Sequence, residues 1–136
     1  MKRNERIKWI EGVHFKRIDP HRNGGMKYEL LVDMVHRGPG GMLQTLKAGT
    51  QSNGADCVED LCPEAFFSHD GFCVHPYWDD GTPISNWGAS REYRHILRRN
   101  GFGGRSIIRH YGTFLFGGQR IKKECGWFFT YKAQRD

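Results

Sequence analysis

The charges of this chain are segregated along the sequence. Residues 51 to 83 contain seven Asp and Glu but no Lys or Arg, whereas residues 84 to 136 contain eleven Lys and Arg against three acids. The first fifty residues hold ten Lys and Arg against five acids, so the net charge of +6 combines unlike parts of about +5, −7 and +8. This segregation points to charge-guided binding, either to an outside partner or between parts of the chain itself.

Length and composition indicate one folded domain covering residues 1 to 136. With 38% hydrophobic residues, including nine Phe, five Tyr and four Trp, the chain is too aromatic for the disordered class. It has no stretch near the roughly 18 apolar residues that a membrane span needs, and no apolar signal segment follows its charged start. We therefore expect a cytoplasmic protein with reduced cysteines and no membrane contact.

The first fifty residues predict β-structure. Residues 13 to 18 are a short apolar and basic stretch that ends at a turn-rich segment, residues 19 to 25. Apolar residues then alternate at period two, which predicts a strand and, with the preceding stretch, a hairpin. This strand face consists of Met26, Tyr28, Leu30, Val32 and Met34. After a glycine-rich break, Met42, Leu43 and Leu46 predict a third strand or a short helical turn.

The clearest helix signal covers about residues 90 to 99. Ser90 can cap its first turn, and Arg98 and Arg99 suit its C-terminal end. The helix is amphipathic, with an inner face of Ala89, Tyr93, Ile96 and Leu97 and an outer face of Arg91, Arg94, His95 and Arg98. Residues 107 to 111, 113 to 116 and 127 to 131 predict further strands. The expected fold is a small α+β domain, in which this helix packs on a mainly antiparallel sheet.

The acidic middle region, residues 51 to 83, shows no clear periodicity, and we expect an irregular ordered loop there. Soft ligands cluster in it with the spacing Cys-x4-Cys-x10-Cys-x-His, and zinc takes four thiolate or imidazole ligands. The predicted zinc ligands are Cys57, Cys62, Cys73 and His75, with His69 and Cys125 as substitutes for the fourth. The alternatives are buried reduced cysteines without a metal, or a magnesium or calcium site among the acids.

The basic C-terminal part offers a candidate surface for nucleic acid. Arg and Lys neutralise phosphates, and Arg also stacks on bases. The candidate binding residues are Arg91, Arg94, Arg98, Arg99, Arg105, Arg109, Arg120, Lys122 and Lys123. Two other interpretations use the same charges: a solvated helix face without a partner, and basic residues that dock on the acidic middle of this chain or of a neighbouring copy. The latter would suit a self-associating assembly component.

A short segment resembles small phage proteins. Residues 80 to 85 read Asp-Gly-Thr-Pro-Ile-Ser, and an Arg-rich helix ending at Gly101-Phe102 follows them. In the phage proteins a DGxxI-S turn precedes such a helix, often after a zinc-ribbon-like element. The resemblance covers about 23 of 136 positions and implies a viral or mobile-element origin, hence host cytoplasm or a virion as the location. It carries no activity with it.

No catalytic signature stands out. Metal-independent ribonucleases use His and Glu as acid and base with Arg or Lys on the phosphate, and residues of these types are present in His95, His110, Glu92, Arg109 and Lys122. No spacing selects a pair among them. We therefore predict a non-enzymatic basic protein that binds DNA, RNA or a nucleoprotein partner. A virion or assembly component is the second interpretation, and a small ribonuclease is the third.

Overall fold

A computed structural model describes residues 9 to 54, 62 to 103, 122, 123 and 126. Within these residues the chain forms five short strands and two longer helices, which confirms the α+β class. The strands are β1 (Phe15–Arg17), β2 (Tyr28–Leu30), β3 (Met34–Arg37), β4 (Leu43–Leu46) and β5 (Gln51–Ser52), and the helices are α1 (Pro63–Val74) and α2 (Asn86–Arg99). The strands predicted at residues 107 to 111, 113 to 116 and 127 to 131 lie outside the described residues.

The strands form two small antiparallel sheets. One has the order β1-β2-β5, with Phe15 opposite Leu30, and the other is the hairpin β3-β4. The predicted β1-β2 hairpin and the strand at Leu43–Leu46 are therefore confirmed. The period-two face continues only in part: Leu30 and Met34 are buried, but Val32 between them is 38% exposed. The chain leaves one sheet and enters the other at this point, so Val32 belongs to neither strand.

A tight contact fixes the β3-β4 hairpin against the loop that precedes α2. Gly38 lies against the ring of Trp78, which is buried and packs on Phe72. A Cβ atom placed on Gly38 would come closer than 3.0 Å to the Trp78 ring, which real Cβ atoms essentially never do. Only glycine therefore fits at this position without displacing a large buried side chain.

We expect Gly38→Ala to lower the free energy of unfolding by about 1–3 kcal/mol, because the added methyl group must displace the Trp78 ring. Urea denaturation followed by tryptophan fluorescence measures this change. Gly103→Ala is the matched control, since a Cβ there has nothing within 4 Å among the described residues and its φ is not positive. Equal stability of both variants would contradict the packing argument.

Helix α1 lies in the middle region, where the sequence predicted an irregular loop. Its buried residues surround the helix axis: Glu64, Ala65, Phe66, Phe67, Ser68, His69 and Phe72. A helix that is buried on nearly all sides has no polar face, so it shows no 3.6-residue alternation. Pro63 occupies the first turn, where its missing N–H costs nothing.

Helix α2 begins earlier than predicted. Ser85 caps it, since its hydroxyl accepts a hydrogen bond from the N–H of Gly88 at 3.0 Å. Ser90 is fully buried inside the helix, so its predicted capping role is wrong. The predicted inner face is confirmed, because Ala89, Tyr93, Ile96 and Leu97 are all buried. The two helices pack together, with the rings of His69 and Tyr93 in contact.

None of the helices that the structure describes has the length and apolar character needed to cross a membrane.

Candidate functional site

The outer face of α2 holds three of the arginines predicted to bind nucleic acid. Arg91, Arg94 and Arg98 are spaced three and four residues apart and lie along one side of the helix, over about 10 Å of its axis. Arg91 and Arg98 are exposed, and Arg94 is half-buried. We call these three residues the arginine face.

Few carboxylates neutralise the arginine face. Among the described residues, the acidic oxygen that approaches Arg91 is Oε2 of Glu92, 4.0 Å from Nε and at the limit for an ion pair. Within the described part of the chain, Arg94 and Arg98 have no carboxylate oxygen within 4.0 Å. The charges of the exposed Arg91 and Arg98 are therefore open to solvent, whereas Arg94 is half-buried.

Cations of the sheet region are placed differently. Four exposed cations in residues 9 to 54 each pair with an acid of the same region, at 2.8 to 3.7 Å: Lys16 with Glu29, Arg17 with Glu11, Arg22 with Asp19 and Lys47 with Asp33. Such exposed pairs add little to stability but cancel each other's charge at a distance. The arginine face therefore differs from the sheet region, because its positive charges are close together and are not paired in this way.

Arg99 does not belong to this face. Its guanidinium contacts the carboxylate of Glu64 in the first turn of α1, and the two side chains are 5% and 1% exposed. A carboxylate buried this deeply needs a cationic partner, and Arg99 at the end of α2 supplies it. Arg99 is therefore a structural residue, and its predicted place among the exposed binding residues is corrected.

Glu92 is also internal. Its Oε1 lies 2.9 Å from Nε2 of His36 on β3, and both side chains are almost fully buried. The His36 ring stacks on Trp78 with 6.0 Å between the centroids, so the pair sits in the packed interior. The structure therefore places Glu92, one of the acid–base residues considered for a ribonuclease, in the interior, where its Oε1 pairs with His36.

The remaining predicted binding residues fall in two groups. Arg105, Arg109 and Arg120 lie outside the described residues. Lys123 is exposed, whereas Lys122 is partly buried and desolvation lowers its pKa. The thiolate of Cys73 acts in the opposite direction on that pKa, which places Lys122 near Cys73.

The four predicted zinc ligands are not brought together. Cys57 lies outside the described residues, Cys62 is buried at the start of α1, and His75 is exposed just after its end. Cys62 and Cys73 are eleven residues apart along α1, or about 16 Å along its axis. Ligands of one zinc ion lie within about 4 Å of one another, so these two cysteines do not share an ion.

A different set converges on α1. Potential ligand atoms of His69, Asp70 and Cys73 all lie within 4.8 Å of one another, and Nδ1 of His69 is 3.7 Å from Sγ of Cys73. Neither Cys73 nor Cys62 forms a disulfide. Burial lowers the pKa of His69 to about 4, so its ring is neutral at pH 7, the form that binds metal. We call these three residues the HDC cluster.

Strand β5 orients the acid of the HDC cluster. The hydroxyl of Ser52 donates a hydrogen bond to Oδ2 of Asp70, and the N–H of Gly54 donates to that hydroxyl at 3.0 Å. With its amide in the orientation that satisfies both ends, Asn53 also donates to Oδ2 of Asp70, at 2.9 Å. The carboxylate is thus held in place by the adjoining strand.

The sequence signal for the HDC cluster is present but hidden. Cys73 lies four residues after His69 and three after Asp70, and these spacings bring side chains together only on a helix, whereas the middle region gives no helical periodicity. The sequence therefore indicates His69 only as a substitute ligand, and it does not single out Asp70.

No known protein family matches this sequence, and neither a curated protein nor a solved structure gives a significant match. The resemblance to small phage proteins therefore stays a prediction.

Proposed function

We propose that this protein binds DNA or RNA, free or within a nucleoprotein, through the arginine face of α2. The observation that carries the proposal is that Arg91, Arg94 and Arg98 lie along one side of α2, with Arg91 and Arg98 exposed and Arg94 half-buried, and without close carboxylate pairing among the described residues. An excess of unpaired guanidinium groups on one rigid helix suits a chain of phosphates. The proposed setting is a phage or other mobile element.

The positions of the acidic residues support binding of nucleic acid better than its cleavage. Glu92, the acid nearest the arginine face, is buried against His36 and does not reach solvent. Within the described residues, a phosphate bound by the arginine face would therefore meet charge-neutralising groups without an exposed carboxylate base beside them. This arrangement favours a binding protein over the ribonuclease alternative.

The test is the salt dependence of binding. We expect binding of a fluorescent duplex to weaken steeply with salt, and Arg91→Ala/Arg94→Ala/Arg98→Ala to reduce the log–log salt slope by about two to three. The physical reason is that each guanidinium on a phosphate releases close to one counterion. Fluorescence anisotropy between low and moderate salt, with DNA and RNA duplexes and single strands, measures affinity and slope together.

The matched control removes the same charge elsewhere. Lys16→Ala/Arg17→Ala/Lys47→Ala takes away three exposed cations that are already paired with acids. It should leave the slope nearly unchanged. An equal reduction of the salt slope in both triple variants would mean that only net charge matters, and would contradict the assignment of binding to the arginine face. Absence of salt-dependent binding in the unaltered protein would refute the proposal as a whole and favour the assembly interpretation.

A further inference from the structure

We propose that the HDC cluster (His69, Asp70 and Cys73) is a binding site for a zinc-class divalent metal ion. This inference goes beyond the proposed nucleic-acid binding and does not depend on it. It rests on the geometry of the three ligands and on the hydrogen bonds that support Asp70.

The first support is the spacing of the ligand atoms. Zinc lies about 2.1 Å from an imidazole nitrogen and about 2.3 Å from a thiolate sulfur, so a tetrahedral angle places those two atoms about 3.6 Å apart. Nδ1 of His69 and Sγ of Cys73 are 3.7 Å apart. The two side chains already stand at the separation that one tetrahedral ion requires.

The second support is the environment of Asp70. Ligating carboxylates are typically fixed by outer hydrogen bonds, and Ser52 supplies one from β5 while Gly54 fixes the Ser52 hydroxyl. This oxygen-bearing third ligand lies within 4.8 Å of the other two. The supporting groups come from a different element, so the cluster is held by tertiary structure and not only by its helix.

The site is also accessible. Asp70 and Cys73 are half-buried, so an ion can reach them from solvent. Three protein ligands leave a fourth position for water or an exogenous ligand, as in open zinc sites.

Cobalt(II) titration of the full chain tests the proposal, because a cobalt–thiolate bond gives a charge-transfer absorption band. We expect this band to saturate at one equivalent and to disappear on addition of zinc. Cys73→Ser should abolish it. Ser52→Ala should weaken metal affinity about 10–100-fold, since it removes one outer hydrogen bond to Asp70 and leaves all three ligands in place.

Controls separate this site from the set predicted from sequence. Cys62→Ala and His75→Gln should keep the band, because Cys62 lies about 16 Å from Cys73 along α1 and His75 follows the helix end. Circular dichroism checks that each variant is folded. A band that survives Cys73→Ser, a band lost in folded Cys62→Ala or His75→Gln, or no band in the unaltered protein would overturn the proposal. Nucleic-acid binding measured in EDTA keeps the two proposals separate.

Discussion

Replacing Arg99 with Met should lower the free energy of unfolding by about 3–5 kcal/mol, because it leaves the Glu64 carboxylate buried without its cation. Both side chains are at least 95% buried, so water cannot take over the role of the guanidinium. Methionine preserves most of the volume, which separates loss of charge from loss of packing. Guanidinium chloride denaturation of the two proteins, with unchanged dependence on denaturant, measures the difference.

Two further variants make the interpretation of Arg99 specific. Arg98→Met removes the adjacent, exposed arginine and should change stability by no more than about 0.5 kcal/mol. Arg99→Met/Glu64→Leu removes both charges and should recover most of the loss, since an apolar pair of similar volume often replaces a buried ion pair without cost. If Arg99→Met proved as mild as Arg98→Met, the structural role assigned to Arg99 would be wrong.

The two helices show what the sequence could and could not predict. Helix α2 packs one face inward and turns Arg91 and Arg98 outward, so its period is visible in the sequence itself. Helix α1 has buried residues on all sides, including the polar residues Glu64 and His69, so hydrophobicity alone does not distinguish it from an irregular segment. The earlier start of α2 depends on a hydroxyl cap at Ser85, which competes in sequence with Ser90.

The candidate sites, like the helices, could be predicted from the sequence only in part. Sequence reasoning predicted the arginine face because exposure and charge follow from helical period. It assigned Arg99 to the same surface, although a residue one position beyond the exposed Arg98 points to another side of the helix, where Glu64 lies. The metal prediction grouped residues by closeness in sequence, but a helix separates Cys62 from Cys73 and brings Cys73 beside His69.

In the described fold, some of the segregated charges pair with each other inside the protein and others lie on its surface. Glu64 of the acidic middle and Arg99 of the basic part neutralise each other between the two helices, as the internal-docking interpretation expected for charges of this chain. The arginine face stays outside that pairing. Arg99 of α2 thus helps to hold the fold together, whereas the three arginines of the arginine face have no carboxylate oxygen closer than 4.0 Å among the described residues.

Replacing Glu92 with Ala should cost about 2–4 kcal/mol of unfolding free energy, since it removes the hydrogen-bonded partner of the fully buried His36 and opens a small cavity. Glu92→Gln retains an oxygen that can accept a hydrogen bond from Nε2 of His36 and should cost about half as much or less. Thermal and denaturant unfolding, with binding of the fluorescent duplex measured on the folded fraction, report the two effects separately.

The pattern across these variants distinguishes a structural Glu92 from a catalytic one. A buried acid that links β3 to α2 should affect stability in proportion to the hydrogen bond lost, while folded Glu92→Gln keeps the affinity of the arginine face for nucleic acid. Arg91→Ala should do the reverse, weakening binding with little effect on stability, because its side chain is 57% exposed. The contrary result would be RNA cleavage by the unaltered protein in EDTA together with loss of cleavage in a stable Glu92→Gln variant. That result would make Glu92 a catalytic residue. It would also require a conformational change that exposes the His36–Glu92 pair to solvent.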